Sequence, residues 1–403
     1  MNMADGMSDQ VKAKVVGLGG AGCNIVNEMQ NEVISFSDKF LVNYSVINTD
    51  IASLDRVGVE SKFLLGQSCH RGLSAGGDAE RGKRIAENDR DKLSQLFEEQ
   101  DLVFLVAGLG GGTGSGAGSV VAEIAAASNA MVIAFAILPF SIEGEVRYKQ
   151  ADAAVRELRN HCDAVITLPN DLLLQQIDKN ATVSEAFRLS NEWIMRAINS
   201  LVRTLSLTGL INLDFGTLQS TFCYRGGKTL FGIAEGHGED YVKEALRGLT
   251  LCPLLQLPDS TKKADSLLVN IIGGKDLTLF QVNDILKSVT ETYSSKANVN
   301  VGAVIDPEKE QYLEICIIGT TNVLGKKPIS RQKNTSTTSA SHTTPHAGSP
   351  SQAQLPTNEE QSNFSFLLKE DDRGLFEKTE RNLFNGEDLD IPSYIRRGIK
   401  ISF

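Results

Sequence analysis

The sequence predicts an α/β protein: a doubly wound parallel sheet, then a smaller α/β domain. Three observations carry this. Apolar strand-like runs alternate with helical patterns through the first half of the chain. Small-residue loops stand where strands hand over to helices, the end at which open sheets of this kind bind ligands. The richest loop, Gly108-Leu-Gly-Gly-Gly-Thr-Gly-Ser-Gly-Ala-Gly118, follows the apolar run 102–107 and precedes the small-residue segment 119–127, which suits a helix packed closely on a sheet. Glycines let the backbone come close to an anion, and the free N–H groups and dipole of the next helix favour negative charge. The loop is therefore a phosphate seat, with hydroxyl donors from Thr113 and Ser115. It is not a Walker loop. Gly227-Lys-Thr229 imitates one, but Phe222 stands where the earlier glycine is required.

The bulk composition narrows the function classes. At 403 residues, 41% hydrophobic and 22% charged, the chain is an ordinary globular composition with room for two or three domains. A net charge of -10 argues against nucleic acid as the main partner, since phosphate backbones are bound by basic surface. Six cysteines without Cys-x-x-Cys and five histidines without a ligand pattern predict reduced thiols and no metal site built from side chains. Residues 1–10 are polar with no apolar signal region, and the longest apolar run, 131–140, is too short to span a bilayer.

Taken in order, a strand over 12–17 runs into Gly17-Leu-Gly-Gly-Ala-Gly22 and a helix over about 24–29. This is formally Gly-x-Gly-x-x-Gly at a strand-to-helix turn, so a nicotinamide-dependent oxidoreductase stands as one reading, although a dinucleotide fold has no need of the second loop at 108–118. Between the loops lie a strand ending in Val46-Ile-Asn-Thr-Asp50, the loop Gly72-Leu-Ser-Ala-Gly-Gly-Asp78 and a charged helix over 79–97. A strand over 131–139, a loop over 140–147, an amphipathic helix to about 159, a strand over 164–168 and a Pro169-Asn-Asp171 turn follow. Thr182-Val-Ser-Glu185 is a capping-box pattern. It opens an apolar stripe at Val183, Phe187, Ile194, Ala197, Ile198, Leu201 and Leu205, which Gly209 stops. At 1.5 Å per residue this helix is about 40 Å long, a spine joining two domains. The second domain alternates strands at 229–234, 266–272, 299–305 and 312–318 with helices at 239–249 and 279–293. Residues 331–363 turn to Ser, Thr, Gln, Asn and Pro, too polar to bury a core, and predict a disordered linker reaching about 385. The tail 388–403 sets apolar residues beside a basic cluster, the pattern of a docking peptide.

Gly110-Gly-Gly-Thr-Gly-Ser-Gly116 is similar to the tubulin/FtsZ signature, and Gly17 to Asn24, Asn48-Thr-Asp50, Pro139-Phe140, Glu143-Gly144, Arg147 and Pro169-Asn-Asp171 fall where FtsZ has its nucleotide loops. Asp390-Ile-Pro-Ser-Tyr-Ile-Arg-Arg397 looks like the FtsZ C-terminal peptide. The chain thus resembles bacterial FtsZ, as a divergent member, over about 12–320 plus the tail. That resemblance implies a tubulin-like fold: a flexible N-terminus (1–11), a GTP-binding domain (12–181), a central helix (182–208), a C-terminal polymerisation domain (209–321), a disordered linker (322–386) and a docking peptide (387–403). It implies a cell-division GTPase that polymerises head to tail, its active site shared between subunits.

For the nucleotide, the resemblance implies a GTP/GDP cradle of Gly19, Gly20, Ala21, Gly22, Asn24, Asn48, Ala75, Gly76, Gly77, Gly110, Gly111, Gly112, Thr113 and Gly114, with Asn170 nearby. Glu143 and Arg147 match ribose positions and Phe187 the base-stacking position, and Asn191 and Glu192 belong to the same GTP-binding set. Asn24 and Glu192 are the candidates for reading guanine; a carboxylate suits its two adjacent N–H donors, which adenine lacks. FtsZ usually has Asp where Glu192 stands. Mg²⁺ is expected with the nucleotide, and Asp78 would need it to avoid repelling phosphate. Asn212 and Asp214 match the catalytic loop. Thr217 stands in place of its second carboxylate, and Ile137 in place of a threonine beside the ribose. A hydroxyl cannot polarise water as a carboxylate does, so slow, assembly-dependent hydrolysis is expected, and a nucleotide-gated filament with little catalysis stays open beside it. Ile391, Pro392, Tyr394, Ile395, Arg396 and Arg397 are expected to dock on a membrane-tethered division adaptor, with the protein itself cytoplasmic at the division site, free of nucleic acid and without a membrane span.

Overall fold

The computed structural model describes residues 10–31, 40–67, 72–173, 182–222, 224–256, 263–294 and 298–321, together with 383–384 and 387–388. The first sheet has six parallel strands, β1 (Val11–Leu18), β2 (Phe40–Asn48), β3 (Ser61–Leu64), β4 (Leu102–Gly108), β5 (Met131–Leu138) and β6 (Ala164–Pro169), in the order β3-β2-β1-β4-β5-β6. The order reverses between β1 and β4, where Gly17 lies beside Val106 and Leu18 beside Ala107. Both glycine loops therefore leave the sheet side by side, at the crevice such topologies use for ligands. Alternate residues feed two cores. Val15, Phe104, Val106, Ile133 and Phe135 face one layer, and Val16, Leu105, Ala107, Val132 and Ala134 the other. Phe104 and Phe135 are fully buried with ring centroids 6.5 Å apart, and each contributes roughly 2–3 kcal/mol of burial.

The helices are α1 (Gly19–Asn31), α2 (Ile51–Asp55), α3 (Ala79–Asn88), α4 (Arg90–Gln95), α5 (Gly112–Ala127), α6 (Glu145–His161) and α7 (Asn170–Leu173). Two of them start earlier than the sequence suggests. α1 opens at Gly19 rather than near 24, and α5 at Gly112 rather than 119, so each glycine loop is itself the first turn of a helix. Low helix propensity hid this, and close packing explains it. A Cβ on Gly22 would stand 2.2 Å from the Val106 carbonyl oxygen, and one on Gly114 would stand 2.0 Å from that of Gly108. The single charged helix expected over 79–97 is broken at Asp89, whose buried carboxylate accepts the Gly66 amide at 2.6 Å.

The central helix α8 (Val183–Ser206) opens with the expected Thr182/Glu185 capping box. Ile194, Ala197, Ile198 and Leu201 are buried, whereas Phe187 is 44% exposed and leaves the expected stripe; the Val183 side chain lies outside the described residues. The helix ends at Leu207, whose ψ of 144° is extended. Gly209 therefore does not stop it. This glycine lets the chain dock on the strand carrying Ala303, where a Cβ would come within 2.2 Å of the Ala303 carbonyl oxygen.

A short helix, α9 (Phe215–Thr221), leads into a second sheet of β7 (Thr229–His237), β8 (Ser266–Gly274), β9 (Val299–Asp306) and β10 (Tyr312–Thr320), ordered β7-β10-β8-β9. In this sheet β8 and β9 pair in parallel, and β10 runs antiparallel to both β7 and β8. α10 (Tyr241–Thr250) and α11 (Leu279–Tyr293) cover one face around Leu267, Val269, Ile271 and Ile315. Charge ties α8 to this domain: Arg196 lies 3.2 Å from Glu235 and 3.5 Å from Glu314, and Arg203 lies 2.7 Å from Asp306. Residues 335–403 form a separate unit, in which Leu383–Phe384 pairs antiparallel with Glu387–Asp388 across the hairpin-type sequence Asn385-Gly386. The rest of the expected linker and the docking residues 391–397 lie outside the described residues.

Candidate functional site

The site is built around the ends of β1, β2 and β4. Gly110 has φ +91°, a left-handed turn that brings the chain from β4 back over the sheet; its amide donates to Ser115 Oγ at 2.8 Å. Gly111 then caps α5, whose first turn leaves amides pointing outward. From β2, Asn48 is buried and its Oδ1 accepts the Thr49 amide at 2.8 Å. Thr49 Oγ1 meets Thr113 Oγ1 at 2.6 Å and accepts the Ala75 amide at 3.0 Å. This joins the loop after β2, the 72–78 loop and the α5 turn into one rim.

A concavity remains between these loops. Added Cβ atoms at Gly20, Gly77 and Gly111 would meet nothing within 4 Å, while Gly76 and Gly77 hold φ of +68° and +84°. Open space faced by backbone amides at two helix N-termini fits a polyphosphate. Gln150, which sequence reasoning passed over, donates to the carbonyls of Gly77 and Gly111, both at 3.1 Å, and so braces the two lips. Its only sequence signal is the helical spacing from Arg147. Asp78 caps α3, its Oδ1 accepting the Arg81 amide at 3.2 Å. Among the described residues no group of three His, Cys, Asp or Glu could hold a metal.

Beside the concavity lies a cleft of about 420 Å³, lined by Asn24, Asn27, Glu28, Arg56, Val57, Phe187, Arg188 and Asn191. The Phe187 ring stands edge-on to Phe140, centroids 5.3 Å apart, and its exposed face borders the cleft. Asn24 and Asn191, both expected at the nucleotide, line this cleft. Glu192 does not line the cleft; its carboxylate pairs with Arg188. Glu28, unnoticed in the sequence, does line it, and accepts from Asn191 Nδ2 at 2.9 Å. The ribose candidates pair with each other: Arg147 and Glu143 are 2.6 Å apart, and Glu143 also accepts the Phe140 amide. Asn170 is buried and takes the Ser190 hydroxyl at 3.0 Å, and Asp171 holds the Ser141 amide. The Pro169-Asn-Asp171 turn therefore acts as a clasp between β6, α8 and the 141 loop. The catalytic candidates sit elsewhere, beyond the far end of α8. Asp214 caps α9 by accepting the Thr217 amide at 2.6 Å, which holds its carboxyl below the usual range, and Asn212 Oδ1 accepts the Gly209 amide. Cys23 is structural: burial raises its thiol to about 12.

The description "Tubulin/FtsZ family, GTPase domain" matches residues 12–178, and "FtsZ family, C-terminal domain" matches residues 227–322. Cell division protein FtsZ 1 of Archaeoglobus fulgidus is 36% identical over 325 residues, 79% of this chain and 86% of that one. Cell division protein FtsZ of Haloferax mediterranei is 35% identical over 311 residues, covering 77% and 80%. An empty FtsZ dimer from M. jannaschii superposes with a TM-score of 0.70 at 32% identity, covering 77% of this chain and 88% of that one. These relatives are archaeal, so the resemblance holds at the level of FtsZ and not of a bacterial FtsZ. The two domain matches and this identity remove the oxidoreductase reading: the chain belongs to the FtsZ branch of the tubulin/FtsZ family and is a GTPase.

Proposed function

We propose that this chain is the repeating subunit of a cell-division filament, assembled head to tail, in which each subunit's GTP is hydrolysed with the help of its neighbour's Asp214. One observation carries the shared site. Asn191 lines the cleft, and α8 then continues to Ser206, fifteen residues or about 22 Å of rise, before the chain reaches Asp214. The chain does not turn back along the helix, since Thr204 and Leu213 both pack on Gly302, so Asp214 stays at that far end and serves a second copy's nucleotide rather than its own. The relatives' names supply the cell-division role, and the dimeric M. jannaschii FtsZ supports self-association.

Within the cradle, the amides of the α1 and α5 turns bind phosphate oxygens, Thr113 adds a hydroxyl, and Phe187 stacks the base. GTP supplies the cleavable terminal phosphoanhydride. Mg²⁺ would be held by the phosphate oxygens, where it would screen them from Asp78, whose backbone packs on Gly112. Asp214, ionised and aimed by the Thr217 amide, orients the attacking water. With Thr217 in place of a second carboxylate the step is slow. The tail residues Ile391 to Arg397 hold a membrane-tethered adaptor, which places the filament at the division site. Light scattering recorded together with phosphate release tests this. GTP gives filaments that decay as phosphate appears, a non-hydrolysable GTP analogue gives lasting filaments, and ATP gives none; filaments formed equally with ATP would contradict it.

A further inference from the structure

Glu28 lies one helical turn beyond Asn24 on α1 and faces Asn191 across the cleft from an exposed position. A carboxylate can only accept, whereas a carboxamide offers a donor at one end and an acceptor at the other. Glu28 therefore decides which way the Asn191 amide turns: Nδ2 toward Glu28, Oδ1 left for the cleft. Resting on the GTP reading above, we propose that Glu28 is a positioning residue for purine selectivity, locking Asn191 so that it presents an acceptor to the base. Guanine offers N1–H and the 2-amino group to such an acceptor. Adenine has an acceptor at N1 and no 2-amino group, so the locked amide opposes it. Glu192 does not take this part, because Arg188 already holds its carboxylate and it does not line the cleft. The other charged side chains lining the cleft are Arg56 and Arg188. Arg56 is anchored on the Ala52 carbonyl and the Ser53 hydroxyl, and Arg188 on Glu192. Neither replaces the Asn191 contact.

The test is competitive binding of GTP, inosine triphosphate and ATP to the full chain, with a fluorescent GTP analogue as reporter. Glu28→Gln keeps the shape but lets the Asn191 amide turn either way. Its affinity for GTP falls roughly tenfold, the loss of one oriented hydrogen bond, while ATP is unchanged or improved, so the GTP preference narrows. Combining Glu28→Gln with Asn191→Asp restores it: the introduced carboxamide donates to one oxygen of the introduced carboxylate, and the other oxygen faces the base. An Asn191→Asp single variant sets two carboxylates against each other and binds GTP worse as pH rises. If Glu28→Gln weakens all three nucleotides equally, or leaves the GTP preference intact, the inference is wrong while the GTP reading stands. Wild-type protein that binds none of the three would overturn both.

Discussion

Gly111 and Gly114 are three residues apart and answer to opposite demands. A methyl on Gly114 collides with the Gly108 carbonyl at 2.0 Å, so Gly114→Ala costs about 3 kcal/mol and shows as a lowered denaturant midpoint. Gly111, at φ −100°, opens on empty space. Gly111→Ala keeps stability within about 0.5 kcal/mol yet weakens nucleotide binding, because the methyl occupies phosphate space. Calorimetry and a nucleotide-protection melt separate the two effects. At Thr217 the opposite gain is available. The residue is in the first turn of α9, where a carboxylate is favoured by the helix dipole, and its amide keeps capping Asp214 although the hydroxyl's contact to that carboxylate is lost. Thr217→Asp therefore folds and speeds phosphate release severalfold within filaments; an unchanged rate would mean the second carboxylate is unneeded. The glycines, Asn24, Phe187 and Asn191 are marked as candidates in the sequence by local pattern or resemblance. Thr49, Gln150 and Glu28 act through contacts 26 to 163 residues away, and no local pattern announces those.

Among the elements, α8 holds the two domains together. Ile194, Ile198 and Leu201 are buried in one apolar core that reaches Phe104 and Ile133 of the first sheet and Leu268 and Ile318 of the second, and Arg196 and Arg203 add ties to the second through carboxylates. Glu314 is buried, and that burial raises its carboxyl above the usual range despite Arg196. A carboxyl raised on folding weakens the fold at pH above its folded value, and the penalty fades as pH falls through it. Glu314→Gln accordingly raises the unfolding midpoint at pH 8 and has little effect at pH 5, since Arg196 keeps Glu235. A lowered midpoint at pH 8 would mean the ion pair outweighs desolvation. Strand and helix alternation was legible in the sequence, as was the capping box of α8. The starts of α1 and α5 were not, because close backbone contacts overrule glycine's reluctance to be helical. The split at Asp89 was hidden too, since it depends on the distant Gly66 amide.

For the whole molecule, the cleft at Phe187 and Asn191 and the loop bearing Asp214 lie toward opposite ends of one long helix, and under the shared-site proposal function follows from stacking copies so that the ends meet. Deleting residues 388–403 is expected to leave GTP-driven filaments intact in sedimentation while abolishing recruitment to membranes carrying the division adaptor. Order of elements and the second sheet were recoverable from periodicity, but the distance between cradle and Asp214 needed the folded chain. The most direct test of that arrangement is the rate of phosphate release per subunit across a dilution series spanning the onset of assembly. The shared site predicts a rate near zero in dilute monomer that climbs once filaments form. An equal rate per subunit at every concentration would contradict it.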